Sequence, residues 1–216
     1  MRVGGSWLSR IWAISFWLRL LSLVLATAGY FGPWVPHETA ALTVTGFELA
    51  EFAKFFPQVQ GGVVPVIRAL FLTPLVAAAI LLGLVANQCI RRPITRLATT
   101  AFAILLTLAA LPPYPYFFDP QYRGQLALAA GGLLLVLLTP LACHLPRRAR
   151  GILIALLALA GAVPALWQFA LLRPLVVALY NAPFGLGWGL VACVAGFTLL
   201  LLCGVLAVAG PGRSKN

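Results

Sequence analysis

The chain has 216 residues, of which 62% are hydrophobic and only 9% are charged, and its formal net charge is +11. Soluble domains carry charge on about a quarter of their residues, so this composition excludes an ordinary soluble fold and predicts a polytopic membrane protein. The basic residues lie in short clusters between apolar runs, which favours the charge asymmetry of a membrane protein over nucleic-acid binding.

The first apolar run follows a short basic lead that contains Trp7, and it predicts a membrane span over residues 11–31. The run contains Arg19, whose charge is costly in the centre of a bilayer. We expect Arg19 to snorkel back toward the headgroups, and the alternative is a buried partner inside the bundle. A cleavable signal peptide, with a small-residue site at 26–28, is a competing interpretation of this run.

The longest segment that is not simply apolar covers residues 32–68 and holds three of the four acidic residues. Within it, Thr45 and Glu48 have the spacing of a helix capping box. This spacing predicts a helix over residues 46–56 that Pro57 ends. A helical repeat places four apolar side chains on one face: Leu49, Phe52, Ala53 and Phe56. The pattern is typical of an amphipathic helix lying on the outer membrane surface.

The acidic residues of this segment allow two interpretations. Glu48 and Glu51 are either the solvated face of the helix or a pair of carboxylates for acid–base chemistry. His37 and Glu38 form a second candidate pair, for acid–base chemistry or for a metal shared with a glutamate of the helix. One histidine and scattered carboxylates fall short of a metal ligand set, so we predict no metal site, and the sequence identifies no cofactor.

Five further apolar runs each have about the 20 residues that a helix needs to cross a bilayer. They predict spans over residues 69–88, 93–111, 125–143, 151–172 and 188–209. The sequence after the fifth run, RPLVVALYNAPFG, is too short and broken to span, and whether residues 174–186 re-enter the membrane is left open. The prediction is a single all-α domain over residues 1–216, a bundle of six transmembrane spans with a short external interfacial helix.

The basic residues predict the orientation of the bundle. Ten of them fall on the side of both termini: Arg2, Arg10, Arg91, Arg92, Arg96, Arg147, Arg148, Arg150, Arg213 and Lys215. Four fall on the other side, together with all the acidic residues: Lys54, Arg68, Arg123 and Arg173. Because cytoplasmic loops carry the excess of Lys and Arg, we expect a cell (inner or plasma) membrane protein with both termini in the cytoplasm.

The predicted outer side is rich in aromatic residues and proline. Headgroup anchoring explains many of these aromatics. The alternative is that the connectors 32–68, 112–124 and 173–185 fold over one another into an aromatic cap, which docks a partner or closes an apolar pocket. The candidate ligand or partner residues are Trp34, His37, Glu38, Glu48, Glu51, Tyr116, Asp119, Arg123, Tyr180 and Asn181, with Arg19 in the first span.

Short enzyme motifs are absent from the sequence, which has no HExxH, GxSxG, Walker A or GxGxxG pattern, and no predicted span carries a carboxylate for a proton relay. We therefore expect a non-enzymatic accessory or scaffold subunit of a larger membrane assembly, with the lipid bilayer and other proteins as partners. Two alternatives stay open. One is a small transport or ligand-capture component, with residues 32–68 as a lid over an apolar small molecule. The other is a membrane enzyme that acts on lipid or quinone through His37 and the glutamates.

Overall fold

The structure, a computed structural model, describes residues 5–37, 43–90, 92–181 and 183–209. In chain order its helices and strands are α1 (Gly5–Phe31), β1 (Pro33–Val35), β2 (Val44–Thr45), α2 (Leu49–Phe52), α3 (Pro57–Gln60), α4 (Thr73–Cys89), α5 (Pro93–Leu108), α6 (Arg123–Leu138), α7 (Arg147–Tyr180) and α8 (Trp188–Ala209). Turns of 3₁₀ helix lie at Ala53–Phe55, Arg68–Leu72, Tyr116–Phe118, Pro120–Tyr122 and Thr139–His144. The helical class is confirmed, and the first connector adds one small antiparallel sheet.

Four helical stretches of the described chain are long and apolar enough to cross a membrane: Arg68–Gln88, Pro120–His144, Arg147–Tyr180 and Trp188–Ala209. Beside them pack α5 (Pro93–Leu108), a shorter apolar helix, and the apolar part of α1 over Phe16–Phe31. Such lengths match the thickness of a hydrocarbon core. The helices are thus those of a membrane protein by length and composition.

Helix α4 forms the centre of the bundle, where it packs against α1, α5, α6 and α7. Every residue from Phe71 to Ala86 is buried. Small side chains allow the close approach, because a Cβ added to Gly161 of α7 would lie only 2.7 Å from the Cβ of Ala77. At the start of α4, the Thr73 hydroxyl donates to the carbonyl oxygen of Gly161 over 3.0 Å.

Helix α8 packs against α1 and α7 along a row of glycines. A Cβ added to Gly29 of α1 would lie 2.2 Å from the backbone nitrogen of Cys193. At the far end of α8, a Cβ on Gly204 would lie 2.7 Å from the carbonyl oxygen of Gly151. Small residues that let backbones approach in this way are typical of helix pairs in membranes.

The two ends of the bundle differ in character. We call one the cap end, because it holds the connectors around residues 32–72, 109–122 and 181–187. We call the other the basic end, because the chain turns there beside Arg92, Arg96, Arg147, Arg148 and Arg150. Of the other basic residues counted for this side, Arg2, Arg91, Arg213 and Lys215 lie outside the described residues.

Helix α7 is longer than the sequence predicts. The span predicted over residues 151–172 lies within it, and the helix continues through Pro174 to Tyr180. A proline inside a helix removes one backbone hydrogen bond, but Leu172 and Val176 are fully buried on either side of it, and this packing carries the helix onward. Its 34 residues rise about 51 Å, so α7 extends beyond a hydrocarbon core of about 30 Å.

The helix predicted over residues 46–56 is shorter and divided. Its regular part is only the four residues of α2, which the 3₁₀ turn Ala53–Phe55 extends. Pro57 begins α3 as its first residue, a position where a proline loses no hydrogen bond. The preceding Phe56 has an extended ψ of 119°, as the residue before a proline prefers.

Candidate functional site: the cap

The cap begins with the small hairpin of the first connector. Strands β1 and β2 pair Pro33 with Thr45 and Val35 with Val44. Trp34 lies between these pairs, is 1% exposed, and donates its indole N–H to the carbonyl oxygen of Gly29 over 3.1 Å. The edge-on contact of its ring with Phe169, at 5.7 Å between centroids, fixes the hairpin to α7. Trp34 is therefore a core residue.

The capping box predicted for Thr45 and Glu48 is confirmed. A Glu48 carboxylate oxygen accepts the backbone N–H of Thr45 over 2.9 Å, and the Thr45 hydroxyl oxygen accepts the N–H of Glu48 over 3.3 Å. The apolar face of the following turn is confirmed too, because Leu49, Ala53 and Phe56 are buried in the core. The protein itself covers this face, since α2 packs against the 3₁₀ turn that precedes α4.

A buried tyrosine, Tyr122, joins the first connector to the second. Its hydroxyl donates to a Glu51 carboxylate oxygen over 3.2 Å, and the Lys54 ammonium lies 2.5 Å from the same oxygen. The Arg68 guanidinium lies over the Tyr122 ring at 5.0 Å and donates to the carbonyl oxygen of Gln121 over 3.1 Å. We call these five residues the Tyr122 cluster.

Two charged groups beside Tyr122 have shifted pKa values. The hydrogen bond to Glu51 raises the pKa of Lys54. Hydrogen bonds from the side chain and the backbone N–H of Gln121 lower the pKa of Asp119, over 2.8 Å and 3.0 Å respectively. Asp119 thereby caps the 3₁₀ turn that contains Tyr122. The Asp119 carboxylate thus stabilises local structure, which is the ordinary role of an N-terminal cap.

The second connector carries the most exposed aromatic side chain of the cap. Tyr114 is 87% exposed. Tyr116 stacks on the Tyr122 ring at 5.9 Å between centroids, and half of its surface still faces outward. Arg123 is exposed at the first position of α6. This connector thus places one buried tyrosine beneath two outward-facing ones.

The third connector packs directly on the hairpin. Gly187 donates its backbone N–H to the carbonyl oxygen of Trp34 over 3.2 Å. A Cβ on Gly187 would lie 2.0 Å from the carbonyl oxygen of Pro33, so only glycine fits there. The rings of His37 and Tyr180 meet edge-on at 5.0 Å. Asn181, at a left-handed φ of 49°, ends α7 beside them.

The structure separates the candidate residues into groups. Glu51, Tyr116 and Asp119 belong to the surroundings of Tyr122, whereas His37 and Tyr180 contact each other on the side of the third connector. Glu38 lies outside the described residues. In the part of the chain that the structure describes, no three His, Cys, Asp or Glu side chains come together as possible metal ligands.

Sequence reasoning missed four members of the Tyr122 cluster: Tyr122 itself, Lys54, Arg68 and Gln121. A usable signal was present in the charges. The predicted outer side carries four acidic residues and four basic ones, and such a balance predicts ion pairs among the connectors. Neither spacing nor composition predicts the stacking of Arg68 on Tyr122, because the fold brings these two residues together.

Arg19 is not part of the cap. Its guanidinium lies near the thiol of Cys203 in α8, and the adjacent Gly204 contacts Gly151 at the start of α7. Arg19 therefore lies toward the basic end of the bundle. The side chain is half-buried, and its Nε atom is buried with no hydrogen-bond partner in the described part of the chain. Its expected reach to lipid headgroups stays a prediction.

The outer surface of the cap presents aromatic side chains. Phe55, Tyr114 and Trp188 are each more than half exposed. Beneath them, Trp34, Phe56 and Tyr122 fill the interior. The arrangement offers a contact surface of aromatic side chains above a buried aromatic layer.

Comparison with protein families, curated proteins and solved structures finds no match to this chain. Its function is therefore argued from the geometry of the cap and the bundle.

Proposed function

We propose that this chain is an integral membrane protein that serves as a non-enzymatic accessory or scaffold subunit, and that its cap docks a protein partner. One observation carries the proposal. The connectors bind one another through the Tyr122 cluster and the hairpin, so the exposed aromatics stand on a pre-organised base. Rigid aromatic side chains dominate the energetics of many protein interfaces, and pre-organisation lowers the entropy that binding must overcome.

The proposal includes six spans, with both termini and the basic end in the cytoplasm. Helices α1 and α5 supply the two spans beyond the four long ones. Helix α5 has 16 residues, about 24 Å, and the turn after Leu108 lengthens it toward the cap. Ile94, Leu97 and Leu105 are exposed along α5, as lipid-facing side chains are. In this arrangement α2 lies at the outer membrane surface with its apolar face on the protein.

Cysteine labelling tests the orientation. Cys143 is exposed, and Cys89 ends α4 near the basic end, so both are first replaced by serine to remove the background labelling there. In that background Gln58→Cys should react with an impermeant thiol reagent applied outside intact cells, whereas Ala149→Cys should react only after the membrane is opened. The reverse pattern of labelling would contradict the proposed orientation.

Native purification with cap variants tests the docking function. The double variant Phe55→Ala, Tyr114→Ala removes two exposed aromatics, and truncation of one hot-spot residue typically costs about 2 kcal/mol, or roughly thirtyfold in affinity. We expect it to lose a stoichiometric protein partner while its thermal stability stays unchanged. Ile94→Ala, equally exposed at the basic end, is the control and should keep the partner.

The two alternative functions, ligand capture and catalysis, predict different results in the same purification. A monomer that carries a bound small molecule would favour ligand capture, and turnover of an added lipid or quinone would favour an enzyme. The packing beneath the hairpin weighs against a lid, because Trp34, Phe169 and Leu172 fill that space. The bonds of Glu48 and Glu51 to Thr45, Lys54 and Tyr122 weigh against catalytic carboxylates.

A further inference from the structure

An apolar groove opens near the basic end between α6 and α7. Both helices pack on α4, which supplies the floor through Ile80 and Leu84. Leu135 of α6 and Leu157 of α7 stand in the two walls, and the groove encloses about 250 Å³. The hydroxyl of Thr139, its polar lining group, already donates to the carbonyl oxygen of Val136 over 2.7 Å. The groove therefore offers only hydrocarbon contacts.

Positive charge lies beside one end of this groove. Leu145 lines it, and Arg147, Arg148 and Arg150 follow within five residues. At about 3.6 residues per turn, Arg150 falls on the same face of α7 as the lining residue Leu153, one turn nearer the basic end. Arg148 falls on the opposite face. The groove thus has an apolar lining, and Arg150 lies about one turn beyond it on the same face of α7.

These arginines have no acidic partner among the described residues. Glu48, Glu51 and Asp119 all belong to connectors at the cap end. The fourth acid of the sequence, Glu38, also belongs to the first connector by its position in the chain. A cluster of arginines without carboxylates attracts anions from its surroundings, and at a membrane surface the abundant anions are phosphates of lipid headgroups.

We propose that the groove binds an anionic phospholipid, with one acyl chain in the groove and the phosphate at Arg150. The inference rests on the proposed membrane insertion but not on the docking function of the cap. Arginine suits this role, because its planar guanidinium binds phosphate oxygens in pairs. An acyl chain suits the groove, because it is flexible, unbranched and wholly apolar.

Lipid binding to the purified full chain tests the proposal. Delipidated protein in detergent is titrated with phosphatidylglycerol or phosphatidylcholine of identical acyl chains, and binding is measured by native mass spectrometry and by thermal stability. Phosphatidylglycerol should bind more tightly and raise the melting temperature more. Arg150→Gln should weaken its binding about fivefold, and Arg148→Gln, on the opposite face, should leave it unchanged. Glycerol phosphate, which has the headgroup chemistry without the chains, should not stabilise the protein.

Variants that fill the groove distinguish binding of an acyl chain in the groove from simple attraction between charges. Leu157→Trp should abolish the stabilisation by both lipids, whereas Leu159→Trp, at an exposed position of α7 away from the groove, should preserve it. If Leu157→Trp does not fold, Ala142→Leu fills the groove from the opposite wall. The proposal is overturned if the filled variants bind phosphatidylglycerol as the wild type does. It is also overturned if Arg148→Gln weakens binding as much as Arg150→Gln, or if a protein occupies the groove instead.

Discussion

Two stretches of this chain look alike in hydropathy and differ completely in position. Arg68–Gln88, which contains α4, has a mean hydropathy of 2.5 and is 89% buried, whereas Pro120–His144, which contains α6, has a mean hydropathy of 2.3 and is 28% buried. Hydropathy measures transfer from water to hydrocarbon, so it does not distinguish a protein neighbour from a lipid neighbour. What distinguishes the two helices is their neighbours: α4 packs against α1, α5, α6 and α7, whereas the rest of the described chain leaves most of the α6 stretch uncovered.

Small side chains occur in both helices. Helix α4 carries the run Ala77-Ala78-Ala79 and Gly83, and α6 carries the run AAGG over residues 129–132 before it continues as LLLVLL. In a bilayer no hydrophobic force draws helices together, so association depends on close van der Waals packing. Composition therefore does not separate α4 from α6, and the contacts that each helix makes in the bundle do.

Enlarging one alanine should give the largest difference in stability between variants of α4 and variants of α6. Ala79 of α4 is fully buried, and Ala79→Leu should destabilise the protein by about 1–3 kcal/mol or more, because overpacked cores shift their backbones. Ala130 of α6 is exposed, and Ala130→Leu should change stability by about 0.5 kcal/mol at most. Melting temperatures in one detergent measure both, and equal losses would contradict the central position of α4.

Replacing each of two adjacent glycines in α6 by alanine should change stability in opposite directions. A Cβ on Gly132 would lie 2.4 Å from a methyl carbon of Val76, whereas a Cβ on Gly131 would meet nothing within 4 Å. Gly132→Ala should cost about 1–2 kcal/mol, because the stiff Val76 side chain cannot turn away easily. Gly131→Ala should be neutral or gain up to about 1 kcal/mol from helix propensity. Melting temperatures in one detergent measure both changes. A lower melting temperature for Gly131→Ala would be inconsistent with the packing of α6.

A polar contact of α4 should matter less than its packing. The Thr73 hydroxyl bridges α4 and α7 through the carbonyl oxygen of Gly161, and hydrogen bonds between membrane helices contribute about 0.6 kcal/mol on average. Thr73→Val should therefore lower stability by roughly this amount. Thr99→Val is the matched control, because the Thr99 hydroxyl bonds within its own helix to Thr95. Equal losses of stability in Thr73→Val and Thr99→Val would mean that the hydrogen bond between α4 and α7 is not the cause.

The smallest effect belongs to the carboxylate that precedes α6. Hydrogen bonds from Gln121 lower the pKa of Asp119 below its ordinary value of 3.8. A lowered folded-state pKa means that the stabilisation is present above the unfolded pKa and is lost as the pH falls through the folded one. Asp119→Asn should thus lower the melting temperature slightly at pH 7, and the difference from wild type should disappear as the pH falls through the lowered pKa of Asp119. A difference that persists in acid would mean that the ionised carboxylate is not the cause.

Local features of the fold were predictable from sequence, and contacts between distant segments were not. The capping box of Thr45 and Glu48 depends on three-residue spacing alone, and the clustering of Arg147, Arg148 and Arg150 at one end follows from chain order. The bond between Glu51 and Tyr122 joins residues 71 positions apart, and no local pattern encodes it. The continuation of α7 through Pro174 depends on the burial of Val176, which tertiary packing supplies.

The glycine contacts between α1 and α8 also set an order of events during synthesis. Helix α1 leaves the ribosome first, but α8, one of its main packing partners, follows more than a hundred residues later in the chain. At about 5–20 residues per second, α1 waits on the order of ten seconds or more with Gly29 facing lipid or a temporary partner. A chain truncated before Trp188 should therefore leave α1 bound to membrane chaperones. Crosslinking from Ala28→Cys on nascent chains of increasing length would reveal when α8 replaces them.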